Sequence, residues 1–437
     1  MLNRKLAMWT AAAVLSGFGL QPAAAAAAKR LVVFAFDQTL DALLRIEDLN
    51  GDGDTLDAGE VTRFIDDTIA PELGVENAQG LYAFSRREVL ATDNFAPDNV
   101  VHLLDADDDG DAFDTGEASV YHDGSLPDGY SLTNPASLTR GADGAFYVYD
   151  NNTLDNANPA AVYRLEDLNG SGAVDANQPG EVVLWREFNP AGTTGTAVLE
   201  IEFGQYGDLY AFDITSSNTR IIRVESDGSA AADFATAANV FALSSVALSG
   251  TIAEMSYDRA RDRMLVGGFL GNDVVIVTLR DRNANQIIDQ ANEIRIVWDE
   301  GSSGFSTGSP RDIFWLEDES AIWVDALSDR IWRLFDNNGD GDYLDAGETT
   351  YLYDAVAAAG AGQPSATLML SSVALLHCIA DIDEDGLIGL SDLSALLENF
   401  GMPSGATALD GDLDGDGDVD LTDLSALLTD FGLSCAM

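Results

Sequence analysis

A mainly β fold built from repeats, followed by a small α-helical module, is predicted for this chain of 437 residues. Three observations predict it. An acidic motif recurs through residues 29–376 about every 57 residues, short aromatic and β-branched runs flank each copy, and residues 378–437 carry a second repeat with leucines at helical spacing. A fixed period indicates units that bury their faces on their neighbours, and aromatic and β-branched runs favour strands.

The long repeat contains a loop that begins with Asp and ends with Glu. The leading residues of its five copies are 57, 62, 114 and 55 residues apart, and they are Asp48, Asp105, Asp167, Asp281 and Asp336. Because 114 is twice 57, one period has lost its loop, and residues 221–228 keep the expected strand without the acidic ligands. The body of the chain therefore contains six periods.

Each period has four apolar runs of strand length, such as residues 146–149, 162–165, 182–185 and 198–201. Four strands make a blade, and six blades arranged radially make a β-propeller, predicted here over residues 29–376. The chain ends favour ring closure, because residues 29–37 supply the second strand of a blade whose first strand would be residues 367–375. A parallel β-helix is the alternative, but its coils are shorter than 57 residues.

The predicted topology separates two faces of the disc. Each acidic loop joins the third strand of its blade to the fourth, so all five loops are expected on one face. The opposite face is formed by long connections between blades, rich in Gly, Pro, Ser and Thr, at residues 66–73, 123–134, 188–196, 299–309 and 354–365. Long loops on a rigid scaffold commonly carry binding, so the interblade face is the predicted surface for a glycan or protein ligand.

The five loops also share the spacing of calcium ligands. Oxygen-bearing side chains occupy positions 1, 3 and 5, often with Gly at 6, as in the EF-hand loop. The likeness to the calcium hairpins of integrin-type propellers is partial, because the closing Glu comes at position 13 or later. The predicted ligands lie in the first, second and fifth loops, and they are Asp48, Asn50, Asp52, Asp54, Glu60, Asp105, Asp107, Asp109, Asp111, Glu117, Asp336, Asn338, Asp340, Asp342 and Glu348.

The third and fourth loops are weaker calcium candidates, because Ser171, Asn283 and Asn285 replace carboxylates. About three to five calcium ions are therefore expected in the propeller. The alternative is that the loops are tight turns without metal, which Asp, Asn and Gly favour anyway.

The shorter repeat is a pair of twelve-residue loops, each followed by Leu, Leu, Leu and Phe at i, i+3, i+4 and i+7, the spacing of one helix face. The two copies are offset by 31 residues, and both place carboxylates at positions 1, 3, 5 and 12 and Gly at 6. The predicted calcium ligands are Asp381, Asp383, Asp385, Asp392, Asp412, Asp414, Asp416, Asp418, Asp420 and Asp423. Two ions are expected here.

This duplicated unit resembles type I dockerin, the calcium-folded module that binds extracellular proteins to cohesin-bearing partners. The predicted module spans residues 377–437, and the resemblance covers residues 378–437 of it. It rests on three features, which are the two loops, the Asp at position 12 of each loop, and the same helix after each loop. It implies a cohesin-like partner, contacted by positions 10 and 11, which are Leu390, Ser391, Leu421 and Thr422. The near-identity of the copies implies that either helix can face the partner. The alternative is an acidic tail that only keeps the protein soluble.

The start of the chain and its cysteines indicate secretion. Residues 1–28 combine a basic start, a short apolar run and an alanine tract, which predicts a cleaved signal peptide. In a secreted chain the only two cysteines, Cys378 and Cys435, predict a disulfide. Closing a loop of about 56 residues would stabilise the module by roughly 4 kcal/mol. The formal charge of −52 argues against nucleic acid or anionic lipid as a partner, and no later stretch is long and apolar enough for membrane insertion.

Signs of catalysis are scarce, and no catalytic residue is assigned. The three histidines His102, His122 and His377 have no metal or triad spacing. The remaining candidates for catalysis are acidic side chains on the inner strands, namely Glu200, Glu202, Glu254 and Asp312. The first hypothesis is a non-catalytic calcium-stabilised propeller, and the second is a hydrolase of polysaccharides or phosphate esters that uses this acid. The second requires that the four carboxylates converge in one pocket, which is expected on the interblade face.

Overall fold

The computed structural model describes residues 29–435, with gaps at 50–52, 69–72, 74, 95–97, 128, 130, 152–159, 189–197, 214–218, 230, 238–239, 241–249, 271–272, 304, 306–309, 317, 327 and 367–368. The predicted signal peptide lies outside the described residues. None of the helices in the described ranges is long and apolar enough to cross a membrane.

The body of the chain forms six four-stranded antiparallel sheets, which confirms the six-bladed β-propeller. The blade that closes the ring contains β24 (Met369–Cys378), β1 (Lys29–Asp37), β2 (Ala42–Glu47) and β3 (Val61–Asp66). The next two are β4 (Ala78–Ala83), β5 (Glu88–Asp93), β6 (Asn99–Leu104), β7 (Ala118–His122), and β8 (Pro135–Arg140), β9 (Phe146–Asp150), β10 (Ala161–Leu165), β11 (Val182–Glu187).

The other three blades repeat the same order. They are β12 (Val198–Phe203), β13 (Leu209–Asp213), β14 (Arg220–Val224), β15 (Ala231–Thr236), then β16 (Gly250–Asp258), β17 (Arg263–Leu270), β18 (Asp273–Leu279), β19 (Ile294–Asp299), and β20 (Pro310–Trp315), β21 (Ala321–Asp325), β22 (Arg330–Leu334), β23 (Thr349–Asp354). A 3₁₀ turn (Ala291–Glu293) and two helices, α1 (Glu300–Ser303) and α2 (Ala355–Ala361), lie between strands.

Ring closure follows the sequence prediction. Strand β24 pairs antiparallel with β1 along its length, from Met369 beside Asp37 to Cys378 beside Lys29. The last strand of the propeller therefore ends two residues beyond residue 376 and leads directly into the C-terminal module.

The first strands of the blades contact one another around the centre of the disc. Each of them contains a one-residue bulge near its start, where its register against the second strand shifts. The apolar core lies between neighbouring blades and includes the fully buried Trp298, Trp323 and Trp332. A bulge turns the strand locally, and it places the next side chain toward the central channel.

All five acidic loops join the third strand of a blade to its fourth, at residues 48–60, 105–117, 167–181, 281–293 and 336–348. They therefore share one face of the disc with the turns between first and second strands, as the topology predicts. We call this the acidic-loop face.

The C-terminal module contains two ten-residue helices, α3 (Leu390–Asn399) and α4 (Leu421–Asp430), and a 3₁₀ turn (Ala408–Asp410). Its small core holds Leu396, Leu427, Ile388 and Val419 together with the disulfide between Cys378 and Cys435. The disulfide was predicted, and it indicates an oxidising environment.

Candidate functional site

The two loops of the C-terminal module gather carboxylates closely enough to share a cation. Three groups have carboxylate oxygens within 4.8 Å of one another, and they are Asp381–Asp383–Asp392, Asp412–Asp414–Asp423 and Asp418–Asp420–Asp423. Hard divalent ions such as Ca²⁺ prefer such all-oxygen sites. Asp385 and Asp416, at position 5, lie outside these groups among the described residues.

Two buried oxygens show that the module loops fit a cation. One carboxylate oxygen of Asp381 and one of Asp418 are buried and have no hydrogen-bond donor in the part of the chain that the structure describes. A buried carboxylate oxygen without a partner is costly. A calcium ion in each loop would satisfy both, with Asp392 and Asp423 closing the two sites.

Position 12 of each loop also holds the loop in shape. Asp392 accepts hydrogen bonds from the backbone N–H of Ile382 (2.7 Å) and Gly389 (2.7 Å). Asp423 accepts the same bonds from Leu413 (2.8 Å) and Asp420 (2.7 Å). The two loops are therefore built alike in space as well as in sequence.

The module presents a repeated apolar surface. Leu390 and Leu421, the predicted partner contacts, are 76% and 71% exposed, and Ser391 and Thr422 beside them are also exposed. Of the four apolar residues that share one face of each helix, only the second is fully buried, because the module is too small to cover the rest. The exposed ones are Leu397, Phe400, Leu428 and Phe431.

In the propeller, the second acidic loop has the arrangement closest to a metal site. Asp105, Asp107 and Asp109 bring carboxylate oxygens within 4.8 Å of one another. Asp105 also forms a buried ion pair with Arg45 (3.0 Å). Asp111 uses one oxygen to accept the backbone N–H of Phe113 (3.0 Å).

The closing glutamates have a structural task in every loop that was predicted to bind calcium. Each is buried, and its two oxygens accept backbone N–H groups at the two ends of the loop. Glu117 accepts from Ala106 (2.8 Å) and Asp114 (3.0 Å). Glu60 and Glu348 do the same with Leu49 and Asp57, and with Asn337 and Asp345. Calcium ligation by these residues stays a prediction.

The other acidic loops differ in what they offer a cation. In the first loop Asn50 and Asp52 lie outside the described residues, while Asp48 accepts the N–H of Gly53 (2.9 Å) and Asp54 that of Leu56 (3.0 Å).

In the fifth loop Asp342 forms an ion pair with Arg295 (2.8 Å), Asp336 accepts the N–H of Gly341 (2.6 Å), and Asn338 donates to Asp345 and, more weakly, to Asp340. In the third loop Asn169 donates to Glu181 (2.7 Å), and in the fourth Asn283 donates to Asp289 (3.1 Å). An amide N–H aimed at the loop carboxylates satisfies them without metal in all three of these loops, and calcium binding by them stays a prediction.

The four inner-strand acids converge. Glu200, Glu202, Glu254 and Asp312 all line one central cavity of about 680 Å³. Its lining also includes Gly141, Ala142, Gly144 and Arg259, which belong to turns between first and second strands, so it reaches toward the acidic-loop face. An opening of this cavity on the interblade face stays a prediction.

The cavity changes the protonation of its acids. Burial raises the pKa of Glu202 to about 8 and that of Asp312 to about 7. Burial and then the neighbouring carboxylates raise the pKa of Glu200 and Glu254 well above the ordinary value. Glu202 and Asp312 therefore gain or lose protons near neutral pH instead of near pH 4, and the pKa shifts of Glu200 and Glu254 favour their protonated forms.

Three of the four acids also connect neighbouring blades. Glu200 accepts the backbone N–H of Met255 in the next first strand (3.2 Å), and Glu202 accepts that of Tyr257. Asp312 accepts the N–H of Ser372 and its hydroxyl (2.8 Å). Such bonds hold the inner ring together.

The module packs on the acidic-loop face through contacts that the sequence analysis did not anticipate. Arg87 forms an ion pair with Glu384 of the first module loop (3.2 Å). Arg30 donates to the carbonyl of Leu413 in the second module loop (2.9 Å). The module is therefore held against the disc by both of its loops.

A buried charge cluster lies at this interface. Arg86 is 5% exposed, forms an ion pair with Asp108 of the second acidic loop and lies 4.0 Å from Glu384. Burial and then four arginines lower the pKa of His377 well below its ordinary value, so this histidine is neutral. The sequence does not predict this cluster, because its arginines are far apart in the chain and only the fold brings them together.

The interblade face is only partly described. Of the predicted connections, residues 354–365 are fully described, and they contain α2, whose first turn is capped by Asp354. The connection at residues 123–134 lacks only residues 128 and 130, and larger parts of the other three lie outside the described residues. A ligand surface there stays a prediction.

Comparison with known proteins gives a likeness of fold. No known protein family and no curated protein matches the sequence. Solved structures that are similar include a nidogen/laminin complex, at 12% identity and a TM-score of 0.47, covering 79% of this chain and 98% of that chain. The PQQ-bound aldose sugar dehydrogenase of Streptomyces coelicolor is 13% identical, with a TM-score of 0.41 over 64% and 83%. Regucalcin of Agrobacterium tumefaciens, a calcium-binding protein, is 8% identical, with a TM-score of 0.39 over 62% and 74%.

Proposed function

We propose that this chain is a secreted calcium-binding propeller protein. Its C-terminal module would bind a cohesin-like partner, in the manner of a dockerin, and so attach the protein to an extracellular assembly. One observation carries the proposal. The module repeats the same calcium-type loop and the same exposed apolar side chains on two helices. The proposed ions are two Ca²⁺ in the module and three to five in the propeller, with the loop at Asp105 the best supported.

The exposed apolar residues are unusual for their setting. The chain carries a net charge of −52, yet each module helix exposes a Leu at its start and a Leu and a Phe near its end. Clustered exposed apolar side chains mark interaction surfaces. The module contacts the disc through its loops, and the apolar faces of both helices remain exposed, so a partner has access to either.

Because the module has two similar helices, single and double substitutions should affect partner binding differently. If either helix can bind, Leu390→Ala or Leu421→Ala alone should weaken binding of a cohesin domain by no more than about threefold. The double variant should lose at least about tenfold, since exposed anchors of an interface are worth about 1–2 kcal/mol each. Surface plasmon resonance against a panel of type I cohesins, in calcium, measures this.

A matched control is Val356→Ala, which removes an apolar side chain that is 78% exposed on α2 of the propeller. It should leave cohesin binding unchanged. Circular dichroism of the double variant should also be unchanged, because neither leucine is buried. Binding by the double variant at the level of the original protein would contradict docking through these helices.

A second candidate function is hydrolysis in the central cavity, on a polysaccharide or a phosphate ester. It is favoured by the convergence of four carboxyl groups, of which Glu202 and Asp312 have pKa values near neutrality. A general acid and a general base work best under that condition. In glycoside hydrolysis two such groups, on either side of the bond, suffice.

The hydrolase candidate predicts a large loss of turnover on replacing either group. Any polysaccharide or phosphate ester that the protein cleaves should be cleaved at least about 100-fold more slowly by Asp312→Asn or Glu202→Gln. Reducing-sugar and phosphate-release assays over a substrate panel measure this. Equal turnover in the variants would remove the cavity from the reaction.

A further inference from the structure

One of the four cavity acids breaks the pattern of the inner ring. Ser137, Glu200, Glu254 and Asp312 occupy the same place in four consecutive first strands, immediately after the bulge. Ser137 accepts the N–H of Ile201 (3.0 Å), as Glu200 and Asp312 accept those of Met255 and Ser372. Each of these three side chains therefore bonds to the residue that follows its counterpart in the next blade.

Glu254 does not make this bond. Among the described residues none donates a hydrogen bond to its carboxyl group, although Glu254 is only 6% exposed and lines the cavity. An ionisable side chain buried without a partner is costly. Since Glu254 forms no hydrogen bond to the next blade among the described residues, a role in holding the blades together does not explain why a glutamate occupies this position.

The charges around Glu254 are unbalanced. Its strongest electrostatic partners are Asp312, then Glu200, and Arg311 is the one cation that acts on it. Three carboxylates and one guanidinium leave a charge of −2 when all are ionised. Glu202, farther along the same strand as Glu200, instead has Arg259 as its cation.

The spacing of the three acids restricts what can bind there. Unlike the module loops, Glu200, Glu254 and Asp312 do not form a group of described carboxylates with oxygens within 4.8 Å. A single ion stripped of its water, whose oxygen ligands lie at about 2.3–2.6 Å, would therefore not reach all three. The cavity of about 680 Å³ is within the size range of small-molecule sites.

We infer that the central cavity binds a small ligand that carries two positive charges and offers hydrogen-bond donors to Glu254, Glu200 and Asp312. Two sources supply this chemistry. One is a short organic diamine, and the other is a divalent ion that keeps its water shell. Both would give Glu254 the donors that the protein does not. The inference does not depend on docking to a cohesin.

The test is isothermal titration calorimetry on the full-length, calcium-saturated protein, with 1,4-diaminobutane in one arm and MgCl₂ in the other. Magnesium is suitable because it retains its water. In one arm, binding should be at least tenfold weaker in Glu254→Gln and within about threefold of the original in Glu187→Gln. Glu187→Gln is the matched control, since it makes the same change at an exposed glutamate of β11 that does not line the cavity.

The arm of the titration that shows this difference identifies the ligand as a diamine or as a hydrated divalent ion. Glu254→Gln should also melt at or above the temperature of the original protein, because the substitution breaks no hydrogen bond and removes a buried charge. Equal binding by the original protein and Glu254→Gln in both arms would overturn the inference. Equal losses in Glu254→Gln and Glu187→Gln would overturn it as well.

Discussion

Replacing both Asp392 and Asp423 by Ala should unfold the C-terminal module while the propeller stays folded. The two residues are 0% and 1% exposed, each belongs to a carboxylate group, and each accepts backbone N–H groups from both ends of its loop. Alanine removes a calcium ligand and leaves those donors buried without partners, at about 1–3 kcal/mol each. A core of this size supplies only about 3–5 kcal/mol, so the loss exceeds its stability.

Metal binding and folding should therefore fail together. In small calcium-built modules the free energy of binding is free energy of folding. Limited proteolysis should cleave residues 378–437 in the double variant, and the number of bound calcium ions, measured after dialysis, should fall by two. Excess EDTA should have the same effect on the original protein.

The matched control is Glu398→Ala, which removes an exposed carboxylate from α3 that lies outside both loops. It should leave the calcium count and protease resistance unchanged. If the Asp392→Ala, Asp423→Ala protein keeps its module folded, the loops are turns and not calcium sites. If it unfolds but still binds cohesin, the docking assignment is wrong.

Much of the fold could be predicted because it depends on local and periodic signals. The acidic loop marks the same corner of five blades, and the strand at residues 221–224 was enough to locate the blade that had lost its loop. Ring closure was predictable because the blade that contains β1 has no first strand ahead of β1 in the sequence. A β-like segment at residues 369–375 is left over at the other end of the propeller and supplies that strand. The disulfide followed from the position of the two cysteines around the repeated loops.

The site was harder to predict because its properties depend on neighbours that are distant in sequence. Glu200, Glu254 and Asp312 could be named as inner-strand acids, but the sequence does not show that only Glu254 lacks the bond to the next blade. The register of the inner strands depends on six bulges, which no spacing signal marked. Likewise, an apolar helix stripe does not reveal which leucines a small core will leave exposed.

Replacing Arg86 by Met should destabilise the interface between the second blade and the module by about 3–5 kcal/mol, the usual effect of breaking a buried ion pair. Methionine approximates the length of the side chain but leaves Asp108, 8% exposed, without its cation. Glu47, whose two oxygens are buried and lack hydrogen-bond donors among the described residues, would lose the same positive charge. Chemical denaturation and hydrogen exchange of residues 378–390 measure the effect.

The neighbouring arginine provides the control for this prediction. Arg87 contacts the same Glu384, but its side chain is 14% exposed against 6% for Arg86, and it has no ion pair with Asp108 among the described contacts. Arg87→Met should therefore cost only about 1 kcal/mol, the upper range for accessible pairs. If both variants lose the same small amount, the module rests on the disc through a solvated contact, and the buried cluster does not fix its orientation. A large, Arg86-specific loss means that the second acidic loop and the first module loop are held by one charge, so that disordering either loop weakens the other.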